Sequence, residues 1–203
     1  MLKIGLTGGI GSGKTTVAGA FHAKGFPIYI ADTEASRLMN TSPEIRSSLL
    51  RLLGNDIYLP DNTLNKVRVA TLIFNHPPLL RQVNALVHPA VLRDFEEWCQ
   101  KQHSPLVFFE SAILFEAHLE SHFDFVIHVT ANLPTRIERV MKRDGVSEGK
   151  VLERIRNQAS EEEKNEKADF ILDTTDGDDW KKQITDIQEM LISKALKPQR
   201  EAN

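Results

Sequence analysis

Residues 8–15 read Gly8-Gly9-Ile10-Gly11-Ser12-Gly13-Lys14-Thr15, a match to G-x-x-x-x-G-K-[ST] that follows a short apolar run and opens a helical pattern. Glycines at 8, 9, 11 and 13 let the backbone take positive φ and approach an anion closely, so that successive N–H groups turn inward as a nest. A helix opening near Lys14 adds the positive end of its dipole. Such a loop suits the phosphates of a nucleotide, with Lys14 reaching the β- and γ-phosphates and the Thr15 hydroxyl ligating Mg²⁺. Binding alone leaves the reaction open, because switches, motors, transporters and small-molecule kinases share the loop. A guanine-reading switch is disfavoured. No Asp precedes a Gly by three residues, and Asn65-Lys66 continues as Val67-Arg68 without completing N-K-x-D.

Asp32 follows a second apolar run, 26–30, and the residue ending a parallel strand projects at the carboxyl edge, where the glycine loop also lies. A carboxylate there accepts hydrogen bonds, so it can orient an alcohol and take its proton during phosphoryl transfer. The competing reading is a helix N-cap for the stretch from Thr33. Arg136, Arg139 and Arg143 share one helix face, with Lys142 close by. That face can surround a migrating phosphoryl group, although a solvated charged face is the usual meaning of such spacing. Glu110 and Glu116 flank Ser-Ala-Ile-Leu-Phe after a third apolar run. Glu110 stands where a carboxylate could hold Mg²⁺ through water, and Glu116 reads equally as a capping or surface acid. His88 is one of seven histidines without ligand spacing, which leaves it a structural role or a bond to a substrate phosphate.

The elements that must position these groups alternate. Apolar runs at 3–7, 26–30, 106–109, 125–129 and 170–172 read as strands, with helical patterns between most of them, which predicts a mainly parallel sheet with helices on both faces. About 70 residues without a strand signal separate the second and third runs, far more than one crossover helix needs. Helices at 33–40, 43–53, 66–74 and 77–102 fill that insertion, a cap suited to a second substrate. Helices at 133–144 and 146–158 break at Gly145, the charged stretch 160–167 reads as part of a mobile hairpin, and a helix at 179–196 closes the sheet before a frayed tail after Pro198.

The 203 residues suffice for one compact domain with inserted subdomains, and 41% apolar with 26% charged residues is an ordinary globular balance. A formal charge of −3 gives no global attraction to nucleic acid or an anionic membrane. No run of about 18 apolar residues can span a bilayer, and glycines interrupt the only N-terminal apolar stretch, so no export signal is expected. The single cysteine, Cys99, excludes an internal disulfide and suits a reducing cytoplasm.

Taken together the pieces resemble the dephospho-CoA kinase family over residues 2–190. The similarity rests on Ile4-Gly5-Leu6-Thr7 leading into the loop, Ala31-Asp32, the stretch from Ile73-Phe74 to His88-Pro89, Leu114-Phe115-Glu116, the run from Arg139 to Gly145, Arg154-Ile155 with Gln158, and Ala168-Asp169. The resemblance implies a P-loop kinase fold: a five-stranded parallel sheet flanked by helices, with a nucleotide core at 1–32, 103–135 and 168–203, a helical substrate insertion at 33–102 and a helical lid at 136–167. It implies transfer of the ATP γ-phosphate to the ribose 3′-hydroxyl of dephospho-CoA, with Mg²⁺. Asp32, Lys14 and Arg139 would be catalytic. Gly8, Gly9, Gly11, Ser12, Gly13, Lys14, Thr15, Thr16, Arg139 and Arg143 would bind ATP, and Thr15 and Glu110 would serve the metal. Thr7, Asp32, His88, Leu114, Phe115 and Glu116 would hold the acceptor. Ile30 replaces an acid common in the family, Arg136 a Gln, and Thr174 an Asn. A cytoplasmic monomer is expected, with weak self-association as the alternative and no nucleic-acid or membrane partner. A nucleoside or nucleotide kinase is the runner-up enzyme, and a nucleotide-gated binding switch the non-enzymatic alternative.

Overall fold

The computed structural model describes residues 1–74, 76–175 and 177–196; the tail after Pro198 lies outside them. The chain divides into two compact units, one made of Met1–Tyr29 with Gln102–Asn203 and the other of Ile30–Lys101.

The first unit holds the sheet. Its strands are β1 (Leu2–Thr7), β2 (Ile28–Ile30, whose last residue begins the second unit), β3 (Leu106–Glu110), β4 (Phe125–Thr130) and β5 (Phe170–Asp173), in the order β2-β3-β1-β4-β5. The pairs β1–β3, β1–β4 and β4–β5 are parallel, so β1 is the central strand with hydrogen-bonded neighbours on both sides. The five-stranded parallel architecture agrees with the sequence reading, with strand ends moved by a residue or two.

Alternation along the strands sends side chains to two faces. Ile4, Leu6, Leu106, Phe108, Ile127 and Val129 point to one face and form a core with Val17, Ala18 and Phe21 of helix α1 (Lys14–Ala23). Phe21 stacks on Phe108 at 4.4 Å between ring centroids. Helix α9 (Asp179–Leu196) completes that core through Ile184, Ile187 and Leu191, spaced to share one helical stripe. On the other face Tyr29 stacks on Phe109, and Phe109 meets Phe123.

The second unit is helical: α2 (Ala31–Thr41), α3 (Pro43–Leu53), α4 (Lys66–Phe74) and α5 (Pro77–Cys99). Ser42 caps α3 by accepting the Ile45 N–H, and Pro43 supplies a first-turn residue that needs no donor. Val83, Val87, Ala90, Val91 and Phe95 give α5 a buried stripe, and α2, α3 and α4 all pack on it. Arg37 ties α2 to α5, its Nη2 donating to Asp94 Oδ1 at 2.5 Å. Arg46 lies 3.9 Å over the Tyr58 ring and donates to the Asn62 carbonyl, fixing the loop between α3 and α4.

Back in the first unit, α6 (Leu133–Asp144), α7 (Glu148–Arg156) and α8 (Glu161–Lys167) link β4 to β5. Asn132 caps α6 through the Thr135 N–H, and Gly145 ends it in the left-handed region at φ 64°. Within the stretch expected as part of a mobile hairpin lies helix α8, capped where Ser160 Oγ accepts the Glu163 N–H.

Candidate active site

The glycine loop leaves the carboxyl end of β1, and Gly13 at φ 88° turns the chain into α1, whose first amides have no intrahelical acceptors. Two glycines of the loop are required by close approach, and for Gly11 a positive φ adds to the requirement. A Cβ on Gly11, at φ 79°, would stand 2.5 Å from the Arg136 carbonyl oxygen. A Cβ on Gly8 would stand 2.3 Å from the carbonyl oxygen of Val129 in β4, backbone that cannot rotate aside. Gly8→Ala should therefore destabilise the unit by about 1–3 kcal/mol, the usual cost of overpacking, and weaken ATP binding. A urea midpoint and an ATP affinity both equal to the wild type would contradict this packing.

The carbonyls of the loop are held from behind. Arg136 Nε donates to Ile10 O at 3.0 Å, Arg139 Nη1 makes a long 3.4 Å contact to Gly11 O, and Thr174 Oγ1 donates to Ser12 O at 2.7 Å. Arg139 also donates to Thr174, from Nη1 to Oγ1 at 2.8 Å and from Nη2 to the carbonyl at 2.6 Å. The Ile10 N–H goes to Gln158 Oε1 at 2.9 Å.

At the mouth of the loop the Lys14 ammonium pairs with Glu110 Oε1, and both side chains are largely withdrawn from solvent. Glu110 ends β3, one strand over from the loop, which explains how residues far apart in sequence meet. Thr15 and Thr16 are exposed on the first turn of α1. The hydroxyls of Thr7 and Ser12 are buried without a hydrogen-bond partner among the described residues. An unsatisfied buried hydroxyl costs about 1–3 kcal/mol, which a ligand oxygen can offset.

The arginine face divides into three environments. Arg136 is only 2% exposed and is ion-paired to Glu161 Oε1 at 2.7 Å, so it does not stand on a shared open face with the other two. Arg139 is half-buried between the loop and Thr174. Arg143 is exposed and donates to Asp144, which also accepts from Arg154 Nη1 at 2.6 Å. Those two guanidiniums hold the Asp144 carboxyl down at about 2.

Leu114 and Phe115 are fully buried, Leu114 packing against Gly5, while Ile113 beside them is exposed. Glu116 Oε1 accepts the Ala159 N–H at 2.9 Å and faces the buried ammonium of Lys164 at 3.5 Å. Nearby, His128 of β4 is wholly buried, bonded through Nδ1 to Asn165 Oδ1 at 2.9 Å, and burial pushes its imidazole below the usual value despite Glu161 close to Nε2. Glu161, Lys164 and Asn165 carry no motif, and only the Ser160-Glu161-Glu162-Glu163 capping pattern marks their helix in the sequence.

Asp32 and His88 lie in the second unit. Asp32 does not end β2: the strand stops at Ile30 and Asp32 sits exposed in the first turn of α2. It is not the N-cap either, since Ile30 holds that position without a side-chain bond. His88 is half-buried on α5, and burial lowers its pKa from the ordinary value.

A parallel sheet whose central strand delivers a phosphate-binding loop to a following helix defines a P-loop kinase core. The profile of the dephospho-CoA kinase family (CoaE) matches residues 2–179, so the chain belongs to that family. A dephospho-CoA kinase of Bacteroides fragilis is 39% identical over 172 residues, covering 84% of this chain and 83% of its own. A dephospho-CoA kinase of Salinibacter ruber is 39% identical over 176 residues, covering 85% of this chain and 88% of its own. A crystal structure from Thermus thermophilus superposes with a TM-score of 0.83 at 34% identity, covering 94% of this chain and 97% of that one. The activity is that of an ATP-dependent phosphotransferase acting on dephospho-CoA in coenzyme A synthesis.

Proposed function

We propose that residues 8–15 hold the ATP phosphates and that Asp32 takes the proton of the ribose 3′-hydroxyl of dephospho-CoA as the γ-phosphoryl group is transferred to it, giving coenzyme A and ADP. The observation that carries the assignment is the Lys14 ammonium at the mouth of a loop whose carbonyls are tied behind it. Transfer needs little covalent work from the protein, so positioned cations and donors are the main source of acceleration. Arg139, against Gly11 and Thr174, is proposed as the second cation over the phosphates, with Thr16 beside Thr15 on the ATP side. Thr7, His88 and the segment from Leu114 to Glu116 are assigned to the acceptor, the buried Leu114 and Phe115 supporting it from within the core.

Among the described residues no group of three or more His, Cys, Asp or Glu could hold a metal by itself. This fits Mg²⁺, which binds through few protein groups and keeps phosphate oxygens and water. Thr15 would supply a hydroxyl, and Glu110 a water-bridged carboxylate once Lys14 turns to the phosphates. When bound, the ion neutralises charge on the β- and γ-oxygens.

Residues 136–167 are proposed as a lid, with Arg143 reaching the phosphates on closure. Because α8 is tied to β4 by Asn165 and to Glu116 by the buried Lys164, movement falls on the joint at Gly145 and on α7. Among the described residues no helix is long and apolar enough to cross a membrane, and we assign the chain to the cytoplasm, where a buried thiol outside any disulfide, such as that of Cys99, persists.

The deciding experiment offers ATP or GTP with Mg²⁺ and a panel of dephospho-CoA, nucleosides and nucleoside monophosphates. ADP release that depends on dephospho-CoA, with a 3′-phosphorylated product, is expected. Phosphorylation of a nucleoside alone would overturn the assignment.

A further inference from the structure

The phosphate loop must present its N–H groups to one side, and carbonyls that swing to the same side would repel an anion. Ile10, at the tip of the loop, has both backbone groups captured by the chain between β4 and β5: its carbonyl by Arg136 Nε at 3.0 Å and its N–H by Gln158 Oε1 at 2.9 Å. Arg136 is not free to let go, because its Nη1 is ion-paired to Glu161 Oε1 at 2.7 Å and the side chain is 2% exposed. Glu161 is fixed in turn by Thr130, whose Oγ1 donates to its Oε2 at 2.7 Å. Gly9 makes the arrangement possible, since a Cβ there would lie 2.3 Å from Arg136 Nη2. The chain of bonds runs from β4 through α8 and α6 to the loop.

We propose that Arg136 and Glu161 are positioning residues for nucleotide binding: Arg136, clamped by Glu161, fixes the loop with its carbonyls turned away from the phosphates. Neither residue reaches the ligand. Their charges compensate each other, so the pair acts through geometry rather than by attracting ATP, and the planar guanidinium is needed because its Nε and Nη1 serve Ile10 and Glu161 at once. The loop thereby comes to ATP already ordered, which saves ordering entropy on binding.

The proposal rests on ATP binding to this loop, and the test separates the two. ATP is titrated calorimetrically, without acceptor, into wild type, Arg136→Lys, Glu161→Gln and the double variant, at a temperature where circular dichroism shows each folded. Wild-type affinity controls for the loop assignment itself. Arg136→Lys keeps the charge but cannot make both bonds, and should weaken ATP about 10- to 100-fold, the range for losing a charge-assisted hydrogen bond. Glu161→Gln should lose a comparable factor, and the double variant little more than either single, because both break one unit. Amide exchange at residues 9–13 should accelerate in each variant. KM for ATP should rise while KM for dephospho-CoA stays within about twofold. Wild-type ATP affinity and loop exchange in the folded variants would overturn the proposal, as would a lowered unfolding temperature with affinity intact. Should Arg136→Lys not fold, Glu161→Gln alone decides by the same readouts.

Discussion

An Asp32→Asn variant is expected to bind ATP as tightly as the wild type and to turn over about 10²- to 10⁴-fold more slowly, the range for a positioned general base. The amide keeps the size of the carboxylate and its ability to accept a bond from the alcohol, but it cannot take the proton. Asp32 sits in the first turn of α2, where the helix N-terminus favours a negative charge, and it is exposed, so its replacement should leave the fold intact. The loss should therefore appear in kcat with little change in either KM. Steady-state turnover at saturating ATP and dephospho-CoA, beside calorimetric ATP binding, checks it. Turnover within about threefold of wild type would remove Asp32 from the base role.

Lys14→Ala should fail in a different way, losing both ATP affinity and transfer. Removing one preorganised donor to developing charge costs about 10²- to 10³-fold in rate. It also strands Glu110, a carboxylate only 7% exposed whose partner is that ammonium. Breaking a buried pair from one side typically destabilises by about 3–5 kcal/mol, so the variant should unfold earlier in urea as well. Adding Glu110→Gln should return much of the stability and none of the ATP binding. A double variant no more stable than Lys14→Ala would mean that the ion pair contributes little to the resting fold.

Much of the architecture was legible because local signals and burial agreed. Ser42-Pro43 before an apolar stripe set the start of α3, and Asn132 with Pro134 set that of α6. The loop was legible for the same reason, since its glycines, lysine and threonine must be contiguous to work. Asp32 was misplaced because α2 begins at Ala31 behind Ile30, a residue with no capping side chain, so nothing in the sequence announces the change from strand to helix. Spacing put the three arginines together on α6, but it did not show that they part into separate environments, because periodicity does not say which arginine faces inward. Arg136 is buried because α8 supplies Glu161, and that contact is set by tertiary packing. Lys164 is the extreme case: within a run of acids and lysines it looks like solvent-facing charge, yet it is completely buried beside Glu116.

The glycine loop hangs from β1, the central strand of the five. It is thus no peripheral flap that frays while the rest of the protein stays closed. To loosen its root, the sheet must part where it is best protected, and the chain must surrender its most cooperative structure at the same moment. On the proposed assignment ligand and fold guard one another: occupancy of the loop by ATP should resist the opening of the entire first unit, and damage far from the phosphates should be felt as a slackening of the grip on them.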